Sequence, residues 1–93
     1  MGFEEYLKSI GISNSGTIGD DGSYVIQLNT SNEFGKMFTK LDSIDDVEQL
    51  EDNQVITEQG SSLVYQSSSE PYLLNLIADF DNNVYQLVVT KIE

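Results

Sequence analysis

Carboxylates are the only side chains with acid–base or ligating chemistry that this sequence carries in quantity. Sixteen Asp and Glu stand against four Lys and Arg in 93 residues, a formal charge of −12, with no His. Between positions 42 and 52 there are six acids and no base: Asp42, Asp45, Asp46, Glu48, Glu51 and Asp52. A second set, Asp20, Asp21 and Glu33, flanks an alternating apolar run from its two ends. Rows of carboxylates can exchange protons, hold a hard cation, or stand in for the phosphates of a nucleic acid. A surface of this sign repels nucleic acid itself, because backbone binding needs Lys and Arg to displace counterions. It attracts basic grooves and speeds encounter with them. Each feature also has a plainer reading. The run 42–52 can be a solvated helix face, Asp20 and Asp21 turn residues, Glu33 a first-turn partner of the helix dipole, and the whole charge a solubilising one.

Proton and metal chemistry find little support. Without His the commonest general acid or base is missing, and Ser-His-Asp and Cys-His arrangements are excluded. Without Cys there is no disulfide and no thiolate site. The loop from Gly16 to Gly22 has no following Lys and carries two Asp, so it is no phosphate cradle. A carboxylate pair for glycoside chemistry would need a cleft that so small a domain has little room for. Asp79, Asp81, Asn82 and Asn83 offer oxygen ligands but lack the calcium-loop spacing, and read as a turn. The expectation is therefore a protein that is not an enzyme and needs no cofactor or metal. No run approaches the roughly 20 apolar residues of a membrane span. The start, Met1 to Glu5, lacks a basic, apolar leader. The reading is soluble and cytoplasmic, with no membrane partner.

The elements that would position the acids follow from periodicity. Phe3, Tyr6, Leu7 and Ile10 share one face of a helix over 3–10, stopped by Gly11. Residues 13–22 read as a loop. Residues 23–29 form a strand with Tyr24, Ile26 and Leu28 on one face. Thr30, Ser31 and Asn32 are candidate caps for a helix carrying Phe34, Met37, Phe38 and Leu41. Ser43 followed by Asp46 resembles a capping box that would open further helical turns burying Ile44, Val47 and Leu50. Strands are expected at 54–58, 62–67, 71–80 and 84–92, the last two at the centre of the sheet with both faces partly covered. The chain reads as one α+β domain over 1–93. It has a five-stranded, largely antiparallel sheet and two helices, in the order α-β-α-β-β-β-β.

That order, with the acidity and the stretch from Ser61 to Tyr72 leading into Leu73–Asp79, a polar turn and a closing strand, resembles the uracil-DNA glycosylase inhibitors of phages. The resemblance implies a DNA mimic that inserts the edge of its first strand into the enzyme's DNA-binding groove. Gly22, Ser23 and Tyr24 stand where that family has Glu, Ser and an aliphatic residue. The strand contact thus falls to Asp20, Asp21, Ser23 and Tyr24, and Glu33 matches the family's helix-start Glu. Asp42, Asp45, Asp46 and Glu48 would add charge. A pocket for the enzyme's base-displacing side chain would fall to Ile26, Leu28, Phe34, Met37, Phe38, Val64 and Ile77. The implied partner is a basic, nucleic-acid-binding protein, uracil-DNA glycosylase foremost. The same charge also fits a blocker of another nucleic-acid enzyme, of the anti-CRISPR or anti-restriction kind, or an immunity protein against a basic toxin.

Overall fold

The computed structural model describes residues 2–92. The chain opens with helix α1 (Phe3–Ser9), whose end is closed by the backbone. Ile12 N–H donates to Leu7 O at 2.8 Å and Gly11 N–H to Lys8 O at 3.1 Å. Gly11 has φ +89°, the left-handed geometry this double bond requires. Leu7 and Ile12 are both buried, supplying the apolar contact that usually accompanies such a stop. Strands β1 (Thr17–Ile18) and β2 (Tyr24–Leu28) follow as a tight antiparallel pair.

Helix α2 (Ser31–Ser43) is capped by Thr30. The Thr30 hydroxyl accepts Glu33 N–H at 3.2 Å, and the Glu33 carboxylate reaches back to accept Asn29 N–H at 2.6 Å. Two of the free donors at the helix entrance are thereby satisfied reciprocally. Strand β3 (Val47–Gln49), a single 3₁₀ turn (Glu51–Asn53) and β4 (Val55–Ile56) lead to three long strands. These are β5 (Gly60–Ser67), β6 (Tyr72–Asp79) and β7 (Val84–Lys91). Among the described residues every strand pair is antiparallel, in the order β1-β2-β7-β6-β5-β3, with β4 also on β5.

The α+β class, the two helices and the antiparallel sheet agree with the sequence reading, but the sheet has seven strands rather than five. Both additional strands lie where another structure was expected. β1 falls in the presumed loop 13–22, where Thr17 pairs with Val25 and Ile18 with Tyr24. β3 replaces the expected helical turns after Ser43. The Ser43 hydroxyl donates backwards to Lys40 O instead of capping forwards, and Ile44 is extended. Val47 is then drawn into pairing with Ser67 and buried. Cross-strand bonding to a partner 20 residues away in sequence outweighs the local helical signal.

The core lies on one face of the sheet. Tyr24, Ile26 and Leu28 of β2, Leu63 and Tyr65 of β5, Leu74 and Leu76 of β6, and Leu87 and Val89 of β7 are buried there. Tyr6 and Leu7 of α1 and Met37 and Leu41 of α2 join the same cluster. β6 and β7 are central, as their two-sided apolar pattern predicts. Among the described residues, however, no helix covers their outer face, and most alternate residues there are only half-buried. Among the described residues no helix is long and apolar enough to cross a membrane.

Candidate anionic interface

Of the second set, Asp21 and Glu33 are held by bonds to backbone N–H groups. Asp21 accepts Ser23 N–H at 3.0 Å beside Gly22, which has φ +87°. Bonding to Ser23 holds the Asp21 carboxyl below the usual aspartate range. Asp20 is exposed next to it. Ser23 is buried, its hydroxyl 3.2 Å from that of Thr90. Tyr24 is a core residue, and its hydroxyl accepts Gly16 N–H at 2.8 Å. Glu33 closes the α2 entrance from the far end of β2. β2 is not a free edge over Tyr24 and Val25, because β1 covers it there. Asp20 and Asp21 therefore lie at one end of β2 and Glu33 at the other.

The seven residues of the expected pocket do not all share one face of the sheet. Ile26, Leu28 and Met37 are packed into the core, and Phe34 and Phe38 are half-buried against it. Val64 and Ile77 project from the opposite face of the sheet, because each alternates with buried neighbours, Leu63 and Tyr65 in one case and Leu76 and Ala78 in the other. The cleft that does include Met37, of about 330 Å³, runs between residues 11–14 and α2. Glu33, Lys36 and Lys40 share its wall.

Of the run 42–52, Asp46 is the most engaged. Its carboxylate accepts the hydroxyls of Ser69 at 2.7 Å and Ser67 at 2.8 Å, and the Ser68 hydroxyl donates to its backbone oxygen at 2.8 Å, with the carboxylate 3.4 Å away. Its backbone oxygen accepts Ser68 N–H at 2.7 Å. The Ser69 and Ser67 bonds hold its carboxyl below the usual range. Asp42 and Asp45 are exposed, and Glu48 stands exposed on β3 opposite Gln66. Glu51 and Asp52 are exposed in the 3₁₀ turn.

Around Asp46 the fold gathers carboxylates from separate segments. A row of ring contacts runs along the strand ends beneath α1: Phe3 stacked on Tyr24 at 5.7 Å, Phe3 tilted against Tyr72 at 5.6 Å and Tyr6 stacked on Tyr72 at 4.4 Å between centroids. Acids border this row. Glu4 accepts the Tyr24 hydroxyl at 3.3 Å. Burial raises the Tyr72 phenol pKa, and the charges of Glu70 and Glu5 raise it further. Burial also raises Tyr6, with Asp46 and Glu70 adding to the rise. Ser67 lies near enough to Tyr6 to offset part of this, though the buried Tyr6 hydroxyl makes no hydrogen bond of proper geometry. Burial, then the charge of Asp42, pushes Tyr65 up to about 12. Glu4, Glu5, Asp46 and Glu70 thus form a ridge over one aromatic floor, and Asp42 lies near the separate buried ring of Tyr65.

Asp42 and Asp46 stand out in the sequence by their run, whereas Glu4, Glu5 and Glu70 do not. One signal was available: from Lys40 to Lys91 there is no intervening base but ten acids. The ridge draws on the start and the middle of that stretch and on α1. Elsewhere, Asp79 turns its carboxylate to Asn82, accepting its side-chain amide at 2.7 Å, as a turn residue does. Among the described residues no three acids converge as a metal site would require.

No protein-family model matches the chain, and no curated protein or solved structure matches it at a significant level.

Proposed function

We propose that this protein is a DNA mimic, an inhibitor whose carboxylate ridge occupies the nucleic-acid groove of a basic enzyme. The observation that carries the reading is the convergence of Glu4, Glu5, Asp46 and Glu70 beside one ring row. An anionic band of this kind draws a cationic cleft by long-range attraction and competes with the polyanion the cleft was built for. Uracil-DNA glycosylase is the enzyme to test first, on the likeness in element order. One observation weakens the case for the glycosylase in particular. The apolar pocket implied by that likeness is divided between two faces of the sheet, so no seat for a base-displacing side chain supports the glycosylase in particular.

The test is a uracil-excision assay with bacterial and human enzymes and increasing amounts of this protein. Inhibition that weakens steeply as salt rises supports the glycosylase. Full activity at all ratios removes it. Pull-down from a bacterial extract, with elution by salt, then decides the wider reading: recovery of no nucleic-acid enzyme would sink mimicry as such.

A further inference from the structure

We propose that a slot between α1 and β1 seats an arginine side chain of the partner. The inference rests on the anionic reading above for its occupant and adds a defined seat to it. The slot, of about 360 Å³, is bounded by Gly2, Phe3, Glu4, Glu5, Ile18 and Tyr24. That is the small end of ligand clefts, which run from roughly 300 to 1,000 Å³. Its apolar walls follow from strand register. Ile18 pairs directly with Tyr24, so both side chains leave the same face of the sheet, the one that α1 packs on. Tyr24 is buried there and stacked with Phe3, the two rings 5.7 Å apart and 11° from parallel. Ile18 lies one strand further out and is 61% exposed. A large aliphatic side chain is thus left uncovered beside two rings, on the core side of the sheet.

The rim carries charge of one sign. Glu4 and Glu5 both border the slot, and among its bounding residues there is no base. One Glu4 oxygen accepts the Tyr24 hydroxyl at 3.3 Å, which holds that carboxylate beside the rings and leaves its second oxygen for a ligand. Lys8, one helical turn on, borders a different cleft against residues 12–15. Among the described residues neither Glu4 nor Glu5 has an ion-pair partner.

An occupant must match aliphatic, aromatic and anionic surface at once. An anionic ligand is repelled, and an apolar side chain would strip water from two carboxylates without replacing it. The ammonium of lysine is compact and strongly hydrated. Arginine meets all three walls. Its methylene stem can lie along Ile18, its planar guanidinium stacks on a ring, and its fork of donors binds a carboxylate through two bonds. A groove built to hold phosphates supplies such side chains.

The test is NMR titration of the full chain with N-acetyl-arginine amide, which carries the side chain without charged backbone groups. The ring signals of Phe3 and Tyr24 and the methyls of Ile18 should shift saturably, with a dissociation constant on the order of millimolar. The citrulline counterpart, similar in shape but uncharged, should shift none of them. The separate ring cluster of Phe34, Phe80 and Tyr85 should stay still, which distinguishes a seat from a general gathering of cations on a surface of −12. Ile18→Thr and Glu5→Gln should each weaken binding about threefold to tenfold. No shift at Phe3, Tyr24 and Ile18, equal shifts at both ring clusters, or an equal response to citrulline overturns the proposal. Should a variant unfold, the shift map of the unaltered protein decides alone. No target enzyme is needed, so the two readings separate. Saturable arginine binding by a protein that inhibits no nucleic-acid enzyme supports the slot and removes mimicry. Inhibition without these shifts removes the slot and keeps the ridge.

Discussion

The Asp46 carboxylate accepts the Ser69 hydroxyl at 2.7 Å across 23 residues of chain. With the Ser67 bond at 2.8 Å it ties the link between α2 and β3 to the turn between β5 and β6. It thereby positions one member of the carboxylate ridge.

Asp46→Asn should lower the urea midpoint near neutral pH. Serine hydroxyls hold the folded Asp46 carboxyl below its ordinary 3.8. Its stabilisation is therefore complete above about 3.8 and is lost as pH falls through the lower folded value. The gap between wild type and variant should be constant at higher pH and close in acid. Urea unfolding curves across that range check it, and a gap that persists in strong acid would contradict the assignment.

Alkaline titration should expose the buried tyrosines. Tyr65 lies at about 12 when folded, against an ordinary 10.0. A folded value above the unfolded one gives stability that is full below pH 10 and fades as pH rises towards 12. Phenolate absorbance from Tyr65 should therefore lag and coincide with loss of the circular dichroism signal. Asp42→Asn, which removes a neighbouring negative charge, should bring Tyr65 part of the way down.

Two glycines should respond with opposite signs to Ala. Gly60 pairs with Asp79, and a Cβ there would collide with the backbone oxygen of Ala78. Gly60→Ala should cost about 1–3 kcal/mol, as overpacking does. Gly35 lies inside α2 with open space where its Cβ would be. Gly35→Ala should stabilise by about 0.5–1 kcal/mol through helix propensity. Denaturant unfolding of both variants reads the two signs.

Against a basic target, neutralising Glu4, Glu5 and Glu70 together to Gln should slow association about tenfold with little change in dissociation. Asp21→Asn and Glu33→Gln should act mainly on thermal stability, because both side chains bind backbone N–H groups. Stopped-flow association and thermal melts separate the two effects. An association rate unchanged in the triple variant would remove the ridge from the binding surface.

Local pattern carries far where neighbours in sequence are neighbours in space. Both helices, the face assignment of Tyr24, Ile26 and Leu28, and the central place of β6 and β7 all follow from spacing of 3.6 or 2 residues. The reading failed where a distant strand competed with a local signal. Ser43 and Asp46 have the spacing of a helix cap, yet Asp46 is claimed by Ser67, Ser68 and Ser69, and β3 forms in place of helix. Val64 and Ile77 were joined to Ile26 although sheet alternation turns them to the other face.

Composition alone determined the chemistry available to this protein: abundant carboxylate, no imidazole, no thiol and four bases. Tertiary structure decided which carboxylates stand together. Glu5, Asp46 and Glu70 are far apart along the chain, and they approach one another because Tyr6 stacks on Tyr72 and the β5–β6 turn folds onto Asp46. Charge is a property each residue keeps in any conformation. A field with direction arises only when packing fixes the distances between charges.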